Sequence, residues 1–311
     1  MVDSDSIDSF NSPRFESDTM NLPEKFPHIV RENEPLAQYS WLRIGGKARY
    51  FAEPTTVDEL SALVQQASAA GLSTRILGGG SNLLIRESGV DGLVISLAAA
   101  DFTQIEIGGV SVKAGAGAKL GHLVSRTVAA GLAGLEHLVG IPGTVGGAVV
   151  GNSGAAHDDI GSRVVAATVL NRDGTIHRRE GSGLQFAFRR SSLDDAIVLA
   201  VNLKLEPGGE VELTRRMQAS WIIKRANQPS TDLRTVLAFV EPDGVSLGEL
   251  FETAGVRGAS DGEATLSAQF PGYIIASGAV TSAQVLALIA SVRRAVELKT
   301  GVALQSQLRI W

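Results

Sequence analysis

The chain has 311 residues, 44 % hydrophobic and 20 % charged, with a formal net charge of −5. That length allows two or three domains, and the mild acidity offers no long-range attraction to nucleic acid. There is no cysteine, which excludes thiol nucleophiles, disulfides and thiolate-bound metal, so any redox chemistry has to come from a bound cofactor. The five histidines, at 28, 122, 137, 157 and 177, form no HxxxH pair, which argues against zinc.

The opening stretch, MVDSDSIDSFNSPRFESD, is acidic and serine-rich. It lacks the basic start and apolar core of a signal peptide, and no apolar run in the chain has the length of a membrane span. The expectation is a disordered acidic tail over residues 1–25 and a cytoplasmic protein, with order setting in near Pro35. Residues 49–53 read as a short strand. Thr56-Val-Asp-Glu59 is a capping box that opens a helix. Val57, Leu60, Leu63, Val64 and Ala67 share one face of it, and Gly71 stops it. A strand over 74–77 and strand-like segments at 83–85 and 93–97 complete a βαββ unit, so a first lobe is expected over 26–97.

A second lobe is expected over 98–208. It shows alternation at 103–107 and 111–114, a helix over 119–130, and a hairpin turn at Arg172-Asp173-Gly174 between two β-branched runs. Its last strand, 196–205, ends at Pro207-Gly208-Gly209, the best-marked boundary in the chain. A third unit, 209–311, carries helices at 212–226, 247–254 and 282–298 and a closing strand over 302–310. The last helix starts from a Thr281-x-x-Gln284 box. Trp221, Ile222 and Ile223 read as core. Strand and helix signals are mixed throughout, so the class is α+β.

Glycine is the informative residue. Thirty-five are present, and several cluster: Gly78-Gly79-Gly80-Ser81-Asn82, Gly115-Ala-Gly117, and Ile141-Pro142-Gly143-Thr144-Val145-Gly146-Gly147 followed by Gly151-Asn152-Ser153-Gly154. One such cluster reads as a tight turn. Three within about 75 residues point to a pyrophosphate site, because glycine lets backbone approach a ligand and successive N–H groups form nests for phosphate oxygens. Neither GxGxxG nor GxxxxGK[ST] is present; Gly115-Ala-Gly117-Ala-Lys-Leu120 lacks the third glycine. The residues alone therefore indicate a nucleotide-like ligand held by neither a Rossmann nor a P-loop turn.

A string of motifs carries a resemblance. In order they are Leu42-Arg-Ile-Gly-Gly46, Leu77-Gly-Gly-Gly-Ser-Asn-Leu-Leu84, Gly131-Leu-Ala-Gly-Leu-Glu136 and Gly140-Ile-Pro-Gly-Thr-Val-Gly-Gly-Ala148. Then follow Gly151-Asn-Ser-Gly-Ala155, Phe186-Ala-Phe-Arg189, Lys224-Arg225-x-x-Gln228-Pro229 and Leu250-Phe-Glu-Thr-Ala-Gly-Val-Arg-Gly258. Together they resemble the UDP-N-acetylenolpyruvoylglucosamine reductases of peptidoglycan synthesis over about 270 residues. The resemblance implies a two-lobed FAD-binding fold of the vanillyl-alcohol oxidase type plus a C-terminal substrate domain. It implies FAD held without a covalent bond, NADPH as reductant, a UDP-sugar substrate, and a protein that acts as a monomer without nucleic acid or membrane. The three glycine clusters would hold FAD, and Lys224, Arg225 and Gln228 the substrate.

The same resemblance assigns roles at the reacting carbon. Arg189 matches the family's catalytic arginine, which holds the substrate carboxylate and the charge that develops on it. Its bland alternative is an ion pair with a surface acid such as Asp194. The family's proton-donating serine is absent, and Leu237 stands at its position; Thr235, Thr231 or a water are the substitutes at hand. The family's glutamate is replaced by Gln307, which keeps the shape and loses the charge. Phe188 stands where a tyrosine is usual, and Phe270 and Gly272 where His and Asn are usual. Loss of a proton donor costs about 10²–10⁴-fold in rate. Three readings follow: a reductase with a replacement donor, a flavin-binding paralogue with another substrate, and a pseudoenzyme whose FAD is structural.

Overall fold

The structure is a computed structural model and describes residues 21–155, 158–230, 234–242 and 244–311. Its elements are mixed α and β, in three main sheets. The first sheet orders Val30–Pro35, Lys47–Ala52, Val90–Ser96 and Ser73–Leu77 side by side. Its first pair is antiparallel and the others are parallel. The helix Val57–Ala69 supplies the crossover between Lys47–Ala52 and Ser73–Leu77. It begins where the sequence predicts: Glu59 N–H donates to Thr56 Oγ1 at 3.2 Å, and Thr56 N–H donates back to the Glu59 carboxylate at 3.3 Å. Leu60, Leu63, Val64 and Ala67 are its buried stripe.

The middle sheet is wholly antiparallel, in the order Ile176–Glu180, Val164–Leu170, Ile197–Lys204, Ser111–Gly115, Ile105–Gly108. The expected hairpin at Arg172-Asp173-Gly174 joins its first two strands, with Asp173 accepting from Thr175 N–H at 2.9 Å. The boundary expected at 97/98 separates these two sheets but not their cores. One apolar cluster runs from Leu22 through Leu60, Leu93, Leu123 and Val169 to Leu205.

The C-terminal sheet orders Arg234–Leu237, Tyr273–Ala276, Ala264–Leu266 and Ser260–Asp261, all antiparallel. Helices Leu247–Ala254 and Ser282–Thr300 cover it and share its separate core with Val236, Phe239 and Ile274. The helix Glu210–Ala226 does not belong to this core. Met217 packs on the first cluster, Leu213 touches Gly208, and Lys224 bonds carbonyls at 137 and 139. The helix that follows the boundary expected at 208/209 thus packs on the elements before it. Its anchoring through one narrow side also explains why Trp221, Ile222 and Ile223, expected in the core, are 50, 61 and 62 % exposed.

Two further expectations change. Residues 1–20 of the expected tail lie outside the described residues, but 22–25 form a helical turn and Leu22 is 0 % exposed. Order thus begins before the expected limit of 25, because Leu22 fills a place in the main core. Leu22→Ala is expected to lower the unfolding free energy by about 2–5 kcal/mol, measured by urea denaturation; a change below about 0.5 kcal/mol would contradict that packing. The expected strand over 302–310 is reduced to Arg309–Ile310, paired in parallel with Leu83–Leu84, and a single bridge between Ser306 and Phe239. The segment meets Phe239 at one point and Leu83–Leu84 at another and makes a long ladder with neither.

Candidate active site

Two of the glycine strings meet backbone to backbone. A Cβ on Gly79 would lie 2.6 Å from Gly143 Cα, and one on Gly78 would lie 2.9 Å from Thr144 Oγ1. Ser81 Oγ donates to Pro142 O across the same seam at 3.3 Å. Gly80 has φ +67°, and a Cβ there would fall 1.8 Å from Tyr39 O. Among the described residues the N–H groups of Gly79, Gly80, Ser81 and Gly143 find no acceptor. Backbone donors without acceptors in glycine-rich turns are what an anion nest requires. Such a nest fits the pyrophosphate of a dinucleotide, and these residues are the ones that would hold it. Thr144 caps the short helix Val145–Val150 by accepting from Gly147 N–H at 3.3 Å, and Gly146 packs on Ala116. Ile141 is part-buried and Pro142 exposed beside them.

Other residues expected at the cofactor also have packing roles. Gly115 is buried, and a Cβ there would strike Phe102 O at 2.2 Å. Gly154, at φ +148°, makes room for Asp159 in the adjoining strand. Asn152 is 2 % exposed and fully engaged: its amide donates to Asp159 at 2.7 Å and to Ala187 O at 3.0 Å, and its carbonyl accepts from Gly161 N–H at 3.0 Å. Its amide therefore positions the hairpin that bears Arg189.

That hairpin, Phe186–Ala187 with Arg190–Ser191, turns on Phe188 and Arg189. Ser191 Oγ ties it to Val150 O at 3.0 Å. Arg189 takes φ +59°, unusual for a residue with a side chain. Its Nε is buried without a partner, and its guanidinium stands 5.7 Å from the exposed Phe188 ring. The surface alternative fails: Asp194 is taken by Arg309 at 2.8 Å, and no carboxylate pairs with Arg189 among the described residues. Burial lowers the Arg189 pKa, with Tyr273 acting weakly the other way. A part-buried cation without a counter-charge is an incomplete anion site.

The remaining groups close a ring around these two features. Lys224 donates to His137 O and to Val139 O, the latter at 3.0 Å, and lies against Gly140. Burial, and then Arg189, lower its pKa to about 8. Two carbonyls leave one of its three donors for a ligand. Arg225 is exposed on the same helix end and Gln228 is part-buried just beyond. Gln307 is held through its main chain: its N–H donates to Ala238 O at 3.0 Å and its backbone carbonyl accepts from the Asn82 side-chain amide at 2.8 Å. Leu237, which precedes Ala238 and ends the strand Arg234–Leu237, lies opposite Tyr273 in register. Thr235 is buried two places away, and Thr231 lies outside the described residues. The expected site residues Arg189, Lys224, Leu237, Gln307 and Asn82 are thus brought together. Tyr273 joins them without any local signal in the sequence.

Backbone donors without acceptors and a part-buried guanidinium without a carboxylate partner, on an α+β frame, make a candidate site for an anionic ligand. Residues 48–179 match the family described as FAD binding domain, and residues 228–311 match the one described as UDP-N-acetylenolpyruvoylglucosamine reductase, C-terminal domain. The chain is 44 % identical over 305 residues to the UDP-N-acetylenolpyruvoylglucosamine reductase of Rhodopirellula baltica, covering 98 % of this chain and 100 % of that one. It is 37 % identical over 287 residues to UDP-N-acetylenolpyruvoylglucosamine reductase 2 of Symbiobacterium thermophilum, with 92 % and 93 % covered. The crystal structure of the Thermus caldophilus reductase superposes with a TM-score of 0.77 at 33 % identity, covering 91 % of this chain and 99 % of that one. The chain belongs to the UDP-N-acetylenolpyruvoylglucosamine reductase family.

Proposed function

We propose that this protein reduces the enolpyruvyl ether of UDP-N-acetylglucosamine enolpyruvate to the lactyl ether of UDP-N-acetylmuramate, a step in peptidoglycan precursor synthesis. The observation that carries this reading is Arg189, a part-buried guanidinium without a carboxylate partner among the described residues, in a chain whose glycine loops leave backbone donors for FAD. When bound, FAD reduced by NADPH supplies the hydride. Arg189 takes the substrate carboxylate as a bidentate pair and offsets charge that builds there as the double bond is reduced. Lys224, with Arg225 and Gln228 nearby, meets the diphosphate and sugar. Gln307 offers a neutral amide beside the reacting carbon where the family has a carboxylate. The reading carries a monomer working in the cytoplasm.

Leu237 and Gln307 favour a second reading, a family scaffold that binds flavin and has lost the reaction. NADPH oxidation by the FAD-loaded protein, with and without the enolpyruvyl sugar, separates the two. Substrate-dependent oxidation by the unaltered chain supports the reductase. Oxidation only by the Leu237→Ser/Gln307→Glu double variant supports the lost reaction.

The pH dependence has a defined sign. Lys224 is a cation below about 8 and neutral above it, so affinity for the diphosphate is expected to weaken as pH rises through about 8. Calorimetric titration with the UDP-sugar measures this. Lys224→Met is expected to bind more weakly below that pH and to lack the decline.

A further inference from the structure

The missing serine leaves the reaction short of a proton, and sheet register identifies where one is available. Along Arg234–Leu237 and Tyr273–Ala276, Val236, Ile274 and Ala276 enter the C-terminal core, so their neighbours Thr235, Leu237, Tyr273 and Ile275 share the opposite face. Leu237 pairs directly with Tyr273, and directly opposed residues project on the same side about 5 Å apart at Cβ. The chain has three tyrosines, at 39, 50 and 273, and Tyr273 alone of them feels Arg189. Its hydroxyl has no hydrogen-bond partner among the described residues, and the residue is part-buried rather than sealed. Thr235, on the same face, is 4 % exposed. The neighbouring Gly272, at φ +87°, sets the ring's strand against the other: its carbonyl accepts from Ala238 and Phe239 at 2.8 and 3.1 Å, and a Cβ there would crowd Leu237.

We infer that the Tyr273 phenol is the proton donor of this reductase, placed by strand register where the family's serine hydroxyl would otherwise reach. The inference rests on the reductase reading. Bound FAD, reduced by NADPH, would supply the hydride for the methylene end of the enolpyruvyl group. The π electrons move to the carbon that carries the carboxylate, whose charge Arg189 holds. The phenol O–H bond then breaks as the second C–H bond forms, and water returns the proton to the phenolate. Burial raises the Tyr273 pKa, while Arg189 works to lower it. The phenol is therefore protonated at neutral pH, and the phenolate it leaves has a cation beside it.

Tyr273→Phe keeps the ring and removes the proton. Turnover is expected to fall about 10²–10⁴-fold, with flavin reduction by NADPH unchanged and UDP-sugar affinity by calorimetry within about threefold. Adding Leu237→Ser to Tyr273→Phe is expected to restore at least tenfold, which a merely structural role for the ring would not produce. Substrate binding to the unaltered holoprotein is also expected to give a tyrosine difference spectrum that Tyr273→Phe abolishes. Equal turnover in the unaltered chain and Tyr273→Phe would overturn the inference and leave the reductase reading standing. No turnover by the unaltered chain would remove both.

Discussion

Arg189→Met is expected to lower turnover of the enolpyruvyl sugar by about 10²–10³-fold, the usual effect of removing one donor aimed at developing charge. Flavin content should not change, because the FAD nest is built from the backbone at 79–81 and 143 and not from this side chain. Stability should stay level or rise. The guanidinium is partly desolvated, its Nε has no partner, and burial lowers its pKa, so the free protein holds a cation at a loss. A pairing role would predict the reverse, a loss of stability on removal. Arg189→Lys is not expected to rescue activity, since a point charge cannot form the paired bonds of a fork. Steady-state kinetics and thermal unfolding of the three proteins measure both effects.

Gly79→Ala is expected to purify with little flavin. The backbone at 79 is not in the left-handed region, so the substitution introduces no φ strain; it puts a methyl 2.6 Å from Gly143 Cα and forces the two glycine loops apart. Overpacking of this kind costs about 1–3 kcal/mol, equivalent to about 5–150-fold in FAD affinity if the loops separate to relieve it. The C-terminal core takes in Leu42, Ile44 and Leu84 but neither Gly79 nor Gly143, and should remain folded. Fluorescence titration with FAD measures the affinity, and circular dichroism the fold. Unchanged affinity would mean that the contact between the loops does not shape the nest.

Local signals were readable in proportion to how local their causes are. The capping boxes at Thr56 and Thr281 each depend on atoms within four residues, and both helices start at them. The hairpin turn at Asp173 is equally local. The glycine strings announced an anion site, but not which glycines face it. Gly115 and Gly154 are glycine because backbone from elsewhere passes close, and nothing adjacent in sequence says so. Asn152 looked like a ligand contact and is a brace, since its three partners lie up to thirty-five residues away. Strand 302–310 failed for a related reason: its partners, Phe239 and Leu83–Leu84, lie far away in the chain and far from each other in sequence. Tyr273 lies in Tyr-Ile-Ile-Ala, which reads as core strand, and only its register against Leu237 moves it into the site.

The most direct measurement is a single anaerobic turnover. FAD-loaded protein is reduced with one equivalent of NADPH and then mixed with UDP-N-acetylglucosamine enolpyruvate, while flavin absorbance and the UDP-sugar mass are followed. Prompt return of the oxidised flavin spectrum, with matching formation of a product two mass units heavier, is the predicted result. A flavin that stays reduced beside bound, unaltered substrate would contradict the assignment of this chain as a working reductase.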